Sequence, residues 1–345
     1  MRKTIRIRCI IIVAVFALTA FAGVFAIFYS ADAFAMSALS HGSGTESDPY
    51  VISTMNQLSN LQAISSSDLS YEYTKDKYFR LDRDLTTSYT IVTTSNGFYG
   101  HLDGNGHTVR ILSETGLFNR LLGGASISNL TVKVNLEVDY VDDYFGLVYV
   151  IDEGATVDNC TIYGNVTIDH SKWKNRFQTM GQYLECGLIA NTNNGVISNC
   201  HVYGSVIQPN LELFCSGSDI RICLYAPFGS GKIVNCDIFA DVELAVSSTG
   251  YYFSGFSIEN SVQNCAFTGD ILVNSTGSTL TGMKLYVYAL GQKAENSVYT
   301  GNIVFDHKNA AFHRQAKHVV AVSGIENSCV HNGTIEIINQ STKAN

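Results

Sequence analysis

The stretch Cys186-Gly187-Leu188-Ile189-Ala190-Asn191-Thr192-Asn193-Asn194-Gly195-Val196-Ile197-Ser198-Asn199-Cys200 decides the fold, because its last four residues recur along the chain. They return as Ile127-Ser-Asn129-Leu130, Val157-Asp-Asn159-Cys160, Ile233-Val-Asn235-Cys236, Val262-Gln-Asn264-Cys265, Ala294-Glu-Asn296-Ser297 and Ile325-Glu-Asn327-Ser328. The asparagines lie 30, 40, 36, 29, 32 and 31 residues apart. Such a period is too short for a domain and suits a solenoid coil, which buries its apolar face only by stacking on its neighbours.

Working outward from each asparagine, the residues alternate. Cys160, Ile162, Val166 and Ile168 are apolar, whereas Thr161, Tyr163, Asn165 and Thr167 are polar or aromatic, which is strand periodicity. A glycine five residues beyond the asparagine, at Gly164, Gly204, Gly269 and Gly301, permits a bend between two short strands. Stacked units place the asparagines in one column. Asparagine tolerates left-handed backbone, and its amide can hydrogen-bond along the stack. The expected ladder is Asn129, Asn159, Asn199, Asn235, Asn264, Asn296 and Asn327. Cys160, Cys200, Cys236 and Cys265 form the adjoining inward column. Coils about 4.8 Å apart bring such cysteines within disulfide range, but parallel side chains point alongside one another, so packed free thiols are expected. Cys215 and Cys223, outside this column, are the candidates for a disulfide.

The quoted stretch resembles the GLUG motif of bacterial surface proteins, with weaker copies at Gly116-Leu117-Phe118 and Gly146-Leu147-Val148. Asp48-Pro49-Tyr50-Val51-Ile52, Phe79-Arg80-Leu81-Asp82 and Asp103-Gly104-Asn105-Gly106 are similar to the opening coils of such proteins. The resemblance implies an all-β, right-handed parallel β-helix, secreted or surface-exposed and adhesin-like, without implying catalysis. The His-Glu-x-x-His pattern of zinc peptidases is absent from the sequence.

The expected organisation is an export signal or signal anchor over 1–35, an N-terminal cap and opening coils over 36–125, the repeat β-helix over 126–338 and a polar tail over 339–345. Arg2, Lys3, Arg6 and Arg8 precede an apolar run from Cys9 to Phe28, and Ala33 and Ala35 suit signal-peptidase cleavage before Met36. The run is also long enough to span a bilayer, which leaves retention as an anchor open. Membrane contact is expected only through this segment, if uncleaved. Met55, Leu58 and Leu61, preceded by Ser53 and Thr54, predict a short amphipathic helix that covers the open N-terminal coil. A second helix is read over 309–318.

The 345 residues are 46% hydrophobic and 15% charged, with a formal net charge of -8. Residues 1–35 hold four of the bases and a single acid, Asp32, so the remainder carries -11. That balance excludes nucleic acid as a partner and leaves a glycan or a host or neighbouring surface protein. No cofactor motif, nucleophile triad or phosphate loop occurs.

Long inserts fall 10 to 20 residues past the asparagine and so project from one side. One holds Lys172, Trp173, Lys174 and Arg176, whose charge and indole suit an anionic sugar or a partner protein. An outward stripe of Tyr163, Tyr203 and Phe239 is a second glycan-binding candidate or a stabilising cross-strand stack. Asp82 and Asp84, two apart on an expected strand, are candidates for a glycosidase acid and base. Asp139, Asp142 and Asp143, with Asp152 and Glu153, could hold calcium or form a solvated acidic face. Three functions stay open: a binding module, a polysaccharide-acting hydrolase or lyase, and a structural stalk.

Overall fold

The computed structural model describes residues 39, 41–63, 74–87, 97–112, 116–138, 143–168, 183–207, 219–246, 250–275, 285–307, 319–320 and 328–339. Within them the chain is a right-handed parallel β-helix whose coils stack along four faces, and every pairing between its strands is parallel. The coils over 131–158 and 161–198 run from a twelve-stranded sheet to a six-stranded sheet, then to a three-stranded and a nine-stranded sheet, and back through the asparagine, while the other coils lack a strand on at least one of the two smaller sheets. The insert bearing Trp173 leaves the twelve-stranded sheet after Ile168, and its Lys172, Trp173, Lys174 and Arg176 lie outside the described residues. So do the helix expected over 309–318 and the apolar run near the N-terminus. Among the described residues no helix is long and apolar enough to cross a membrane.

Alternation in the sequence becomes stacked core columns. Ile127, Val157, Ile197, Ile233, Val262 and Ala294 pair in register on the nine-stranded sheet, and Val132, Ile162, Val202, Ile238, Phe267 and Tyr299 do so on the twelve-stranded sheet. All are buried. Each side chain thus meets a near-equivalent above and below, and no coil is self-sufficient.

At the corner between these two sheets, Asn129, Asn159, Asn199, Asn235, Asn264 and Asn296 adopt φ between 47° and 55°. The amide of Asn159 donates to Asn129 Oδ1 at 2.7 Å, that of Asn235 to Asn199 at 3.4 Å and that of Asn264 to Asn235 at 3.4 Å. The line is diverted once, where Asn199 donates instead to Asp158 Oδ1 at 2.7 Å. Asn327 lies outside the described residues. Val330 pairs with Val298, which puts Ser328, at φ 61°, on the turn below Asn296. The last copy is therefore Ser328-Cys329, one residue later than the Asn-Ser match suggests.

The inward column beside the asparagines is polar as well as packed. The backbone N–H of Cys160 donates to Cys200 Sγ, that of Cys200 to Cys236 Sγ and that of Cys236 to Cys265 Sγ, each at 3.4 Å. Each of these thiols also donates to the carbonyl two residues before it, at 3.1 to 3.3 Å. Ser297 keeps both bonds with a hydroxyl, accepting from Cys265 N at 3.0 Å and donating to Glu295 O at 2.8 Å. Cysteine and serine share this column because each offers a compact donor and acceptor to a buried backbone.

Cys223, expected in a disulfide, is a free thiol in the core, and Cys215 lies outside the described residues. Cys223 ends its strand on the six-stranded sheet, pairs with Gly187 and points inward rather than toward a loop. Burial pushes the Cys186 thiol up to about 12 and raises those of Cys200 and Cys223 well above the ordinary range.

The expected glycine bends divide into two kinds. Gly164 and Gly204 lie inside unbroken strands, Thr161–Ile168 and His201–Ile207, where a Cβ on Gly204 would overlap the Gly164 carbonyl oxygen. Gly269 and Gly301, at φ 143° and 157°, do separate two short strands. Gly116 and Gly146 share one register, whereas Gly187 pairs with Phe145 and so sits one residue early.

The helix Met55–Ala63 forms as read. Thr54 Oγ1 accepts from Gln57 N at 3.2 Å, while Gln57 Oε1 accepts from Ser53 N at 2.7 Å and Thr54 N at 3.0 Å, a reciprocal capping box. Leu58 and Leu61 are buried against the first coil.

Replacing Cys200 by alanine strands the Cys160 N–H in the core and opens a small cavity, so Cys200→Ala is expected to cost about 2–4 kcal/mol. Cys200→Ser keeps an acceptor at the same place and should cost less than half of that. Urea denaturation of the two variants checks the order, and equal losses would show that the sulfur acts by volume alone.

Candidate functional site

The twelve-stranded sheet carries an outward column in strict register: Arg110, Lys133, Tyr163, Tyr203 and Phe239. Because the coils are parallel and aligned, like residues stack. The Tyr163 and Tyr203 rings lie 5.1 Å apart at 17°, and Tyr203 and Phe239 lie 4.9 Å apart at 9°. Tyr163 and Phe239 remain 45% and 42% exposed. Lys133 Nζ sits 5.8 Å from the Tyr163 ring centroid, over its face.

Two residues further along each strand runs a second outward column, Asn135, Asn165, Ser205 and Asp241. Ser205 Oγ donates to Asn165 Oδ1 at 2.9 Å, and the Asn165 amide reaches Asn135 Oδ1 at 3.4 Å. The same polar line continues where Asp241 Oδ1 accepts from Asp270 N at 3.0 Å, Asp270 Oδ1 from Asn302 N at 2.7 Å and Asn302 Oδ1 from Thr334 N at 3.1 Å. Its signal in the sequence is the repeated pair Gly164-Asn165, Gly204-Ser205, Gly269-Asp270, Gly301-Asn302 and Gly333-Thr334. The bends read at Gly164, Gly204, Gly269 and Gly301 pass over the residue that follows each.

Between the two columns, Val134, Gly164 and Gly204 follow in register, and the two glycines contribute no side chain. Here lies a groove of about 440 Å³ floored by the backbone of Val134, Gly164 and Gly204, whose side-chain positions alternate inward, with Arg110, Lys133, Tyr163 and Tyr203 on one wall and Asn135 and Asn165 on the other. Leu112, 61% exposed, stands at the Arg110 end. That volume falls in the range of small-ligand sites, roughly 300–1,000 Å³.

The stack restricts what the rings can do. Their faces are largely taken up by one another, so a ligand in the groove meets ring edges and the phenolic hydroxyls of Tyr163 and Tyr203. The free face at this end of the stack is that of Tyr163 beneath Lys133. The cross-strand stack read from the sequence is thus present, and the groove beside it presents hydroxyls, amides and two cations.

Asp82 and Asp84 lie not on a strand but in the turn between Tyr78–Leu81 and Leu85–Thr87. Asp82 accepts from Ser53 Oγ at 2.8 Å and from Arg83 Nε at 3.2 Å. Asp84 accepts from Thr108 N at 2.9 Å and lies 3.3 Å from His107 Nδ1. The Ser53 bond lowers the Asp82 carboxyl below its ordinary value, and the Thr108 N–H lowers that of Asp84. A glycosidase acid must instead hold its proton near neutrality, which calls for a raised value. This pair holds a turn and is not arranged as acid and base.

Of the acidic cluster, Asp139 and Asp142 lie outside the described residues, as does the side chain of Asp143. Asp152 is engaged by Arg120 through two bonds at 2.8 and 2.9 Å, a structural pair between coils. Among the described residues no group of three His, Cys, Asp or Glu could hold a metal ion.

These features define the chain as a parallel β-helix solenoid with a ligand-sized groove on one sheet. Compared with solved structures, it is similar to a "putative immunoglobulin A1 protease" from Bacteroides ovatus, with a TM-score of 0.50, 18% identity and coverage of 85% of this chain and 86% of that one. At that identity the likeness shows the fold alone. Among curated proteins it is similar to Halomucin of Haloquadratum walsbyi, 32% identical over 159 residues, which is 39% of this chain and 2% of that protein. The chain thus spans about 2% of the length of this relative. No family model matches.

Because the folded Asp82 and Asp84 values are depressed, the stabilisation they provide is present above the unfolded value of 3.8 and is lost as pH falls through the folded values. Carboxyl titration by NMR should find both midpoints below 3.8; a midpoint above 5 for either would return the pair to candidacy as a catalytic acid.

Proposed function

We propose that the chain is an exported, non-catalytic β-helix module that binds carbohydrate along its twelve-stranded sheet. The observation that carries this reading is the groove: tyrosine hydroxyls, side-chain amides and cations converge over glycine backbone, the chemistry that satisfies a polyhydroxylated ligand. The apolar run after four N-terminal bases and the resemblance to GLUG-motif surface proteins support export to the cell surface or the medium. The relative by sequence is named as a mucin, which favours an extracytoplasmic setting without fixing a ligand.

A hydrolase or lyase on this scaffold is the weaker reading, since Asp82 and Asp84 are each committed to turn bonds and held ionised. A bare stalk would have no use for a groove lined by tyrosine hydroxyls, amides and two cations.

A glycan array probed with the purified protein is expected to show selective binding that weakens about tenfold or more in Tyr163→Ala, equivalent to about 1.4 kcal/mol. Binding unchanged in that variant would move the site off the groove. Silence on every glycan would contradict the proposal.

A further inference from the structure

Resting on that reading, we infer that the groove is selective for an acidic saccharide, whose carboxylate or sulfate is held between Arg110 and Lys133 while its hydroxyls reach Tyr163, Tyr203 and the Asn135 and Asn165 amides. The charge pattern points there. Beyond residue 35 the chain carries -11, yet the groove is lined by two bases and not one acid. A random sample of so acidic a surface would favour carboxylates.

Register makes the arrangement directional. Arg110 and Lys133 are paired on neighbouring coils, as are Lys133 and Tyr163, and Tyr163 and Tyr203. From Arg110 to Tyr203 the column spans three coil steps, about 14 Å at the usual strand spacing. The acid group thus belongs at one end of the groove and the neutral part of the ligand at the other. Lys133 already sits over the Tyr163 face, which fixes its ammonium near the groove instead of leaving it to wander in solvent. Asp84 also feels the Lys133 charge, but its carboxylate is occupied by Thr108 N and His107 and does not line the groove.

Guanidinium and ammonium groups bind carboxylate or sulfate oxygens through charge-assisted bonds, roughly twice as strong as neutral ones. Tyrosine hydroxyls and amides discriminate little by charge. The two halves of the site are therefore separable: removing a cation costs acidic ligands more than neutral ones, while removing a tyrosine affects both kinds alike. An acidic peptide would satisfy the cations equally well, but of the aliphatic lining Ile111 and Val134 are buried and Leu112, at the Arg110 end, is the exposed one, so the rest of the groove offers hydroxyls and amides instead.

Matched pairs test this on the intact protein: an oligogalacturonate with its methyl ester, and a carrageenan oligosaccharide with its desulfated form, each titrated calorimetrically. The expected result is binding of at least one acidic member about tenfold tighter than its neutral partner. Lys133→Gln and Arg110→Gln should each remove most of that preference, weakening the acidic member by more than the neutral one. Lys293→Gln, on another sheet, should change neither, and circular dichroism confirms that the variants fold. Equal binding of acidic and neutral members would overturn the acidic preference while the carbohydrate reading stands. No saccharide binding, with or without binding of poly-glutamate, would overturn both.

Discussion

The backbone N–H that follows each left-handed asparagine is the group on which the rest of the helix depends. Closing a coil requires a sharp corner, and the corner places this amide in the core, where an unpaired donor costs about 1–3 kcal/mol. At Cys160, Cys200 and Cys236 it is met by the sulfur of the next coil, and at Cys265 by the hydroxyl of Ser297. A side chain that serves the coil above it must lie in register, so satisfying one amide fixes the stacking of two coils. The aligned core columns, the asparagine line and the outward stripe of rings all follow from that registration.

Glycine plays the complementary part on the neighbouring face. The stack leaves no space for a Cβ at Gly204 beside the Gly164 carbonyl, and at Gly164 the same atom would come within 2.8 Å of Val134 O. Gly164 and Gly204 alternate inward along their strands, so their tight stacking keeps the backbone between the tyrosines and the amides aligned as the groove floor. Around it the asparagine, serine and aspartate residues tie each bend to the next. The groove walls therefore stand on strands, and the long inserts begin at the ends of those strands.

Much of the fold was legible in the sequence because it is written as repetition. The Asn-Cys pairs, the period-two alternation and the Thr54 to Gln57 cap each state a local geometry that the structure repeats. What escaped was whatever depends on register between coils. Asn327 matched by identity, yet Ser328 takes the turn, because strand pairing and not residue type decides the rung. Cys223 lay outside the visible column and so read as a disulfide partner, although it packs inward at the end of a buried strand. Tyr163 and Tyr203 were recognisable as an outward stripe, while their partners Arg110, Lys133 and Asn135 stand on earlier coils and carry no shared motif. The stacking of those rings, one of the two readings of the stripe, is present as well.

Amide hydrogen exchange followed residue by residue in NMR spectra tests the closure of the coils most directly. If sulfur in the next coil accepts the buried amides, Cys160, Cys200 and Cys236 N–H should exchange as slowly as those of Ile162, Val202 and Ile238 in the adjoining strands. Exchange of the three cysteine amides orders of magnitude faster than those strand amides would show that the corner is open to water and would contradict this account of what holds the solenoid in register.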